Sequence, residues 1–229
     1  MQGIAQFIEH GGFFMYVNII VLVTVLAVVV ERFIYLIFKG QINAKGLLEQ
    51  LRKLIQANNV DRAIRLCGST NAPLLRVAKS GLVQVHRGEE AISNSVEEAL
   101  VETTPEVKKR IGSLWSLANI ATLIGLLGTV LGLIRAFQAV GGADPAKRQE
   151  MLALGISEAL HNTALGLSIA VIAIVFHLVL GGMAKKLVSD LESFSMKLEN
   201  FLVLHARSGV ATAPQAPATA PAGPGRGMK

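Results

Sequence analysis

The chain has 229 residues, of which 52% are hydrophobic and 17% charged, with a mean hydropathy of +0.50. That balance excludes an ordinary soluble domain, where about a quarter of residues are charged. The net charge of +6 does not point to nucleic acid, because no stacking aromatics interleave the basic residues.

The sole cysteine, Cys67, rules out an intramolecular disulfide and suits a reducing compartment. No group of His, Cys and carboxylates has metal-ligand spacing. There is no P-loop, dinucleotide fingerprint, Ser/His/Asp arrangement or internal repeat. Neither enzymatic activity nor a bound cofactor is expected. The fold expected is an all-α integral membrane protein: three transmembrane helices with long cytoplasmic extensions and a cytoplasmic helical region.

Residues 1–12 lack the positive start and small-residue cleavage site of a signal peptide, so the first apolar run is expected to be retained. That run, residues 13–38, has a core at Val17–Val30 built mainly of Val, Ile and Leu. Its length matches the 18–20 residues that span a ~30 Å hydrocarbon layer. Glu31 and Arg32 mark its exit from the hydrocarbon.

Residues 39–110 read as amphipathic helices. Leu47, Leu48, Leu51, Leu54 and Ile55 recur at three and four residues. A second helix covers Val60 to Cys67, a third opens at Pro73, and a fourth starts near Glu89, with Pro105 interrupting or restarting it. Residues 111–140 form the second membrane helix, 141–150 a hairpin turn, and 151–184 the third membrane helix. A helix over 185–207 keeps three-and-four spacing through Leu191, Phe194, Leu198 and Leu202. Residues 208–229, rich in Ala, Pro and Gly, are expected to be disordered.

Cations set the orientation. Twelve Lys or Arg lie between Lys39 and Arg110, two in the hairpin, and six after Met183. Positive-inside counting places 39–110 and the carboxyl terminus in the cytoplasm, with residues 1–12 and the hairpin in the periplasm.

Two helix faces could carry chemistry. On the second membrane helix, Ala118, Thr122, Gly125, Thr129, Gly132 and Ala136 fall on one stripe, with Gly128 beside it. Such a stripe serves close helix packing or lines a pore, and spacing does not choose between them. On the third, Gly155, Ala159, Thr163, Gly166, Ala170 and Ala173 form a stripe that also contains His177 and is flanked by Glu158 and Asn162. A carboxylate at membrane depth costs roughly 2.5–3.5 kcal/mol on insertion scales. Glu158 is therefore either a site for ion handling or a structural anchor paired with a cation or hydroxyl. For His161 and His177, hydrogen-bonded packing is the simpler reading.

The segment Gly125-Leu126-Leu127-Gly128-Thr129-Val130-Leu131-Gly132 resembles the G-L-x-G-T-V-x-G segment of the ExbB/TolQ/MotA proton-channel family. Gly155-Ile156-Ser157-Glu158-Ala159-Leu160, followed by Thr163-Ala164-Leu165-Gly166-Leu167, resembles its second segment. The resemblance covers roughly residues 10–205. The chain departs at Thr122 and Ile172, where the family often has proline, and at His161-Asn162, where smaller or apolar residues are commoner.

The resemblance implies a homopentamer in a bacterial inner membrane, enclosing two copies of an ExbD/TolR/MotB-like single-span partner. Proton flow would then drive a TonB/TolA-like or gliding effector. It further implies that Thr129, Thr163, Glu158, Thr122 and Asn162 line the proton path. Gly125, Gly128, Gly132, Gly155, Ala159 and Gly166 would serve helix packing. The rival reading is a non-conducting membrane scaffold in which Glu158 is structural. A solute carrier is less favoured, since there is no inverted repeat or pair of broken helices.

Overall fold

The structure, a computed structural model, describes residues 12–40, 42–57, 59–142 and 144–211. Expectations for residues 1–11 and 212–229, including most of the predicted disordered tail, lie outside the described residues. Among the described residues the elements are α1 (Gly12–Gly40), α2 (Ala44–Gln56), α3 (Val60–Gly68), α4 (Pro73–Val83), a 3₁₀ turn (Val85–Arg87), α5 (Glu89–Lys108), α6 (Ile111–Gly141) and α7 (Arg148–Ala211), with no strand. Three helical stretches are long and apolar enough to cross a membrane, and they contain α1, α6 and most of α7. The protein is an all-α, multi-pass membrane protein.

Two compact units are distinguishable. The first comprises 12–44 and Leu100–Ser193. Its core is a contiguous apolar cluster. From α1 come Val21, Val25 and Val29, which recur every fourth residue and so share one face. From α6 come Leu114, Ala118 and Ala121, and from α7 Ile169, Ala170 and Ala173. Small residues on α6 and α7 bring those two backbones together.

The sequence reading puts Glu31-Arg32 at a hydrocarbon exit. There Arg32 is buried in protein, only 4% exposed. Its Nη1 donates to the Glu106 carbonyl at 3.3 Å, and its guanidinium lies 5.2 Å from the centre of the Tyr35 ring. That carbonyl sits in the last turn of α5, where its one backbone donor, Lys109 N, is a long 3.4 Å away. Glu31 pairs with Arg110, which joins α5 to α6 in a left-handed conformation (φ 60°).

Pro105 neither interrupts nor restarts a helix. It lies inside α5, which ends three residues later at Lys108. The proline removes one hydrogen bond, the one that Val101 O would accept. On the turn above it, the Thr104 hydroxyl donates to Leu100 O at 2.8 Å.

The segments predicted as 151–184 and 185–207 form one unbroken α7, which runs to Ala211 and so includes the first four residues of the predicted tail. Between α6 and α7 the chain turns at Asp144, whose carbonyl accepts from Lys147 N at 2.9 Å.

The second unit comprises 45–99 and 194–211. It buries Leu47, Leu48, Leu51 and Ile55 of α2, Ala63 and Cys67 of α3, Leu74, Val77, Ala78 and Leu82 of α4, and Leu198 and Leu202 of α7. Each fully buried leucine contributes roughly 1.5–3 kcal/mol. A Cβ at Gly81 would come within 2.7 Å of Val96 and 3.2 Å of Leu202, so α4 packs here only as glycine. Arg207 holds both carboxylate oxygens of Glu89, at 2.8 and 2.7 Å from Nη2.

Candidate functional site: a hydroxyl pair on a glycine seam

Within the first unit, α6 and α7 meet along a seam where glycine is required by contact. A Cβ on Gly125 would lie 3.0 Å from Asn162 O and 3.3 Å from the Gly166 Cα. One on Gly166 would lie 2.5 Å from Ala121 O. A Cβ on Gly132 would meet Ala159 Cβ at 3.1 Å, and one on Gly155 would overlap Ala136. Gly128 is the exception in direction: its Cβ would meet Asn162 at 3.0 Å but also Phe14 of α1 at 3.2 Å. The close backbone approach is the geometry that small-residue stripes permit in lipid.

That approach brings two hydroxyls together. Thr163 Oγ1 donates toward Gly125 O at 3.1 Å and stands 3.3 Å from Thr129 Oγ1. Thr129 sends its own proton to Leu126 O at 2.6 Å. Thr163 thus has one proton and two acceptors, and the Thr129 oxygen is free to accept. A hydroxyl both donates and accepts, so this pair can pass a proton or solvate a carboxyl without holding a fixed charge. Thr122 lies on the same arc of α6 two turns away, and its hydroxyl donates to Ala118 O at 3.0 Å.

Asn162 and Glu158 lie elsewhere. Asn162 is 3% exposed, on the side of the seam where Gly128 and Phe14 meet. Its Nδ2 reaches Glu158 O at 3.5 Å. Glu158 is five residues before Thr163, about 140° around the helix. It is half-buried, and its carboxylate makes no hydrogen bond or ion pair among the described residues. Within one chain the structure therefore joins Thr129 to Thr163 and leaves Glu158 and Asn162 on another arc.

Of the two membrane histidines, His161 Nδ1 lies 2.5 Å from Ser157 O on its own helix. His177 Nδ1 lies 2.9 Å from Ile111 O, with its ring 6.1 Å from Trp115.

The sequence reading passes over Asn18. It is fully buried in α1, and neither side-chain polar atom has a partner among the described residues. The available signal is plain: Asn18 is an amide inside the apolar run Val17–Val30.

With this geometry in place, the profile of the MotA/TolQ/ExbB proton channel family matches residues 69–193, more than half of the chain. The chain belongs to that family. Thr129, Glu158 and Thr163 all fall within the match. Among similar proteins, an ExbB homolog of Methanothermobacter thermautotrophicus described as a biopolymer transport protein is 24% identical over 170 residues, covering 74% of this chain and 60% of the relative. An ExbB-like biopolymer transport protein of Synechocystis is 27% identical over 151 residues, 66% of this chain and 71% of the relative. The Tol-Pal system protein TolQ of Haemophilus influenzae is 44% identical over 69 residues, 30% of each. This chain thus spans less than two thirds of the first relative's length.

Proposed function

We propose that this member of the MotA/TolQ/ExbB family is the multi-copy shell subunit of a proton-driven machine in a bacterial inner membrane. Five copies would surround two single-span partner subunits of the ExbD/TolR/MotB type. The partner brings a membrane carboxyl that takes up and releases the proton. The amino terminus faces the periplasm and the carboxyl terminus the cytoplasm. The chain itself performs no covalent chemistry and holds no cofactor.

The Thr129–Thr163 contact is the observation that carries this reading. A pair with an acceptor oxygen left open, on helices that glycines hold close together, suits a guest carboxyl. A proton crossing 100 mV releases about 2.3 kcal/mol, and work follows only if that proton biases one arrangement of shell and core. The driven machinery is of the TonB or Tol type or a gliding motor, in keeping with relatives named for biopolymer transport and the Tol-Pal system.

Proton flux into liposomes containing the chain and its partner tests the reading. Thr129→Ala and Thr163→Ala should each reduce flux while the complex stays assembled. Full flux in both variants would overturn the site assignment.

A further inference from the structure

Asn18 of α1 and Asn162 of α7 are the two buried amides of the membrane-spanning unit, at 0% and 3% exposure. Three of their four polar side-chain atoms have no partner among the described residues: Asn18 Nδ2, Asn18 Oδ1 and Asn162 Oδ1. Their neighbourhood is shared. Asn162 and Phe14 crowd Gly128 from two sides, at 3.0 and 3.2 Å from where its Cβ would be. Asn18 follows Phe14 by four residues, so it lies one turn further along the same face of α1. Beyond it on that face, Val21 and Val25 enter the apolar cluster with Ala121 and Ile169. The two amides thus sit between a close-packed layer and a dry core.

A buried amide without a partner is costly, and most costly where lipid surrounds the protein. The ligand that satisfies this set must both accept and donate. Asn18 Nδ2 needs an acceptor, while Asn18 Oδ1 and Asn162 Oδ1 need donors. A metal cation would serve the oxygens and repel the Nδ2 protons. Water serves all three.

We infer that Asn18 and Asn162 form an internal water-binding site between α1, α6 and α7, on the opposite side of the seam from the Thr129–Thr163 pair. The site does not depend on the stator reading.

Solid-state NMR of the full chain in lipid bilayers, with asparagine nitrogen labelled, tests it. The Asn18 and Asn162 side-chain amide protons should show magnetisation transfer from water, whereas the backbone amides of Val21 and Val25 show none. The Asn18→Leu variant should lose the water transfer at Asn162. Exchanging sodium for potassium should shift neither signal. Absence of water transfer at both amides in the unaltered chain, or a direct amide-to-amide hydrogen bond between them, would overturn the site. A sodium-dependent shift would replace it with a cation site and overturn it equally.

Discussion

Thr163 has one hydroxyl proton and two oxygens that compete for it, Gly125 O at 3.1 Å and Thr129 Oγ1 at 3.3 Å. Its role can be separated from its packing by two substitutions. Thr163→Ser keeps the hydroxyl and should retain most of the proton flux of the partner-bound complex. Thr163→Val keeps the shape and removes the hydroxyl. Losing one hydrogen bond of about 1.4 kcal/mol should slow flux by about tenfold. Equal flux in the two variants would show that the seam uses Thr163 only for its volume. Glu158 is read in the same way. A structural anchor would need a partner, and its carboxylate has none among the described residues. Glu158→Gln should therefore leave the thermal midpoint of the isolated chain unchanged while reducing work by the assembled machine. A fall in the midpoint, with full activity retained in the variant, would restore the anchor reading.

Cys67 gives a third prediction at this scale. Burial pushes its thiol up to about 11 from an ordinary 9.0, and the nearby Lys79 opposes the shift without cancelling it. The thiolate is the reactive form, so the folded chain should resist maleimide at pH 8 and react once unfolded in urea. The sign for stability follows from the direction of the shift. Between 9.0 and about 11 the folded state keeps a proton that the unfolded state has released. The contribution is complete below 9.0 and is lost as pH rises through that window. Much was legible at this scale: the threonines, Glu158 and the lone thiol all stand out as residue types. Asn18 was equally visible as an amide in an apolar run. The missing part was burial on all sides, which a periodicity argument limited to one helix does not supply.

Among the elements, α7 contains its own control for the seam. Gly155 and Gly166 meet α6 so closely that no side chain fits, whereas Gly181 and Gly182 have nothing within 4 Å of where a Cβ would stand. Gly166→Leu should force α6 and α7 apart and cost about 1–3 kcal/mol, as overpacking does. Gly181→Ala should be neutral or stabilising by up to about 1 kcal/mol, since glycine is the poorer helix former. Thermal unfolding in detergent compares them, and similar losses at both positions would mean that contact with α6 does not set the cost. The seam was readable because small residues repeat with the helical period. The α5–α6 corner was not. It rests on Arg32 reaching Glu106, 74 residues away, and on Arg110 taking a left-handed conformation that nothing in its residue type demands. Pro105 misled for a related reason. Local rules make proline a breaker, yet one lost hydrogen bond near the end of a helix is a small penalty beside the packing of the rest.

For the whole molecule, the decisive question is what covers the outer faces of α6 and α7. Leu123, Leu126, Val130, Ile134 and Phe137 of α6 are exposed, as are Leu160, Leu167 and Val171 of α7. Lipid alone would satisfy these side chains. Lipid would also tolerate the hydroxyls, because Thr122, Thr129 and Ser168 each donate to a carbonyl of their own helix. Glu158 differs. A carboxylate cannot back-bond in that way, and a half-buried one beside lipid must be hydrated or covered. In the stator proposed above, assembly would cover it. On that proposal, native mass spectrometry of the chain co-expressed with a single-span subunit of the ExbD/TolR/MotB type should show five copies with two of that subunit. Replacing Glu158 with leucine removes the group that lipid rejects, so this variant should yield a larger share of free monomer than the unaltered chain at equal detergent. A monomeric or dimeric unaltered chain that retains no partner would sink the stator reading. An unchanged monomer share in the leucine variant would show that Glu158 does not drive assembly.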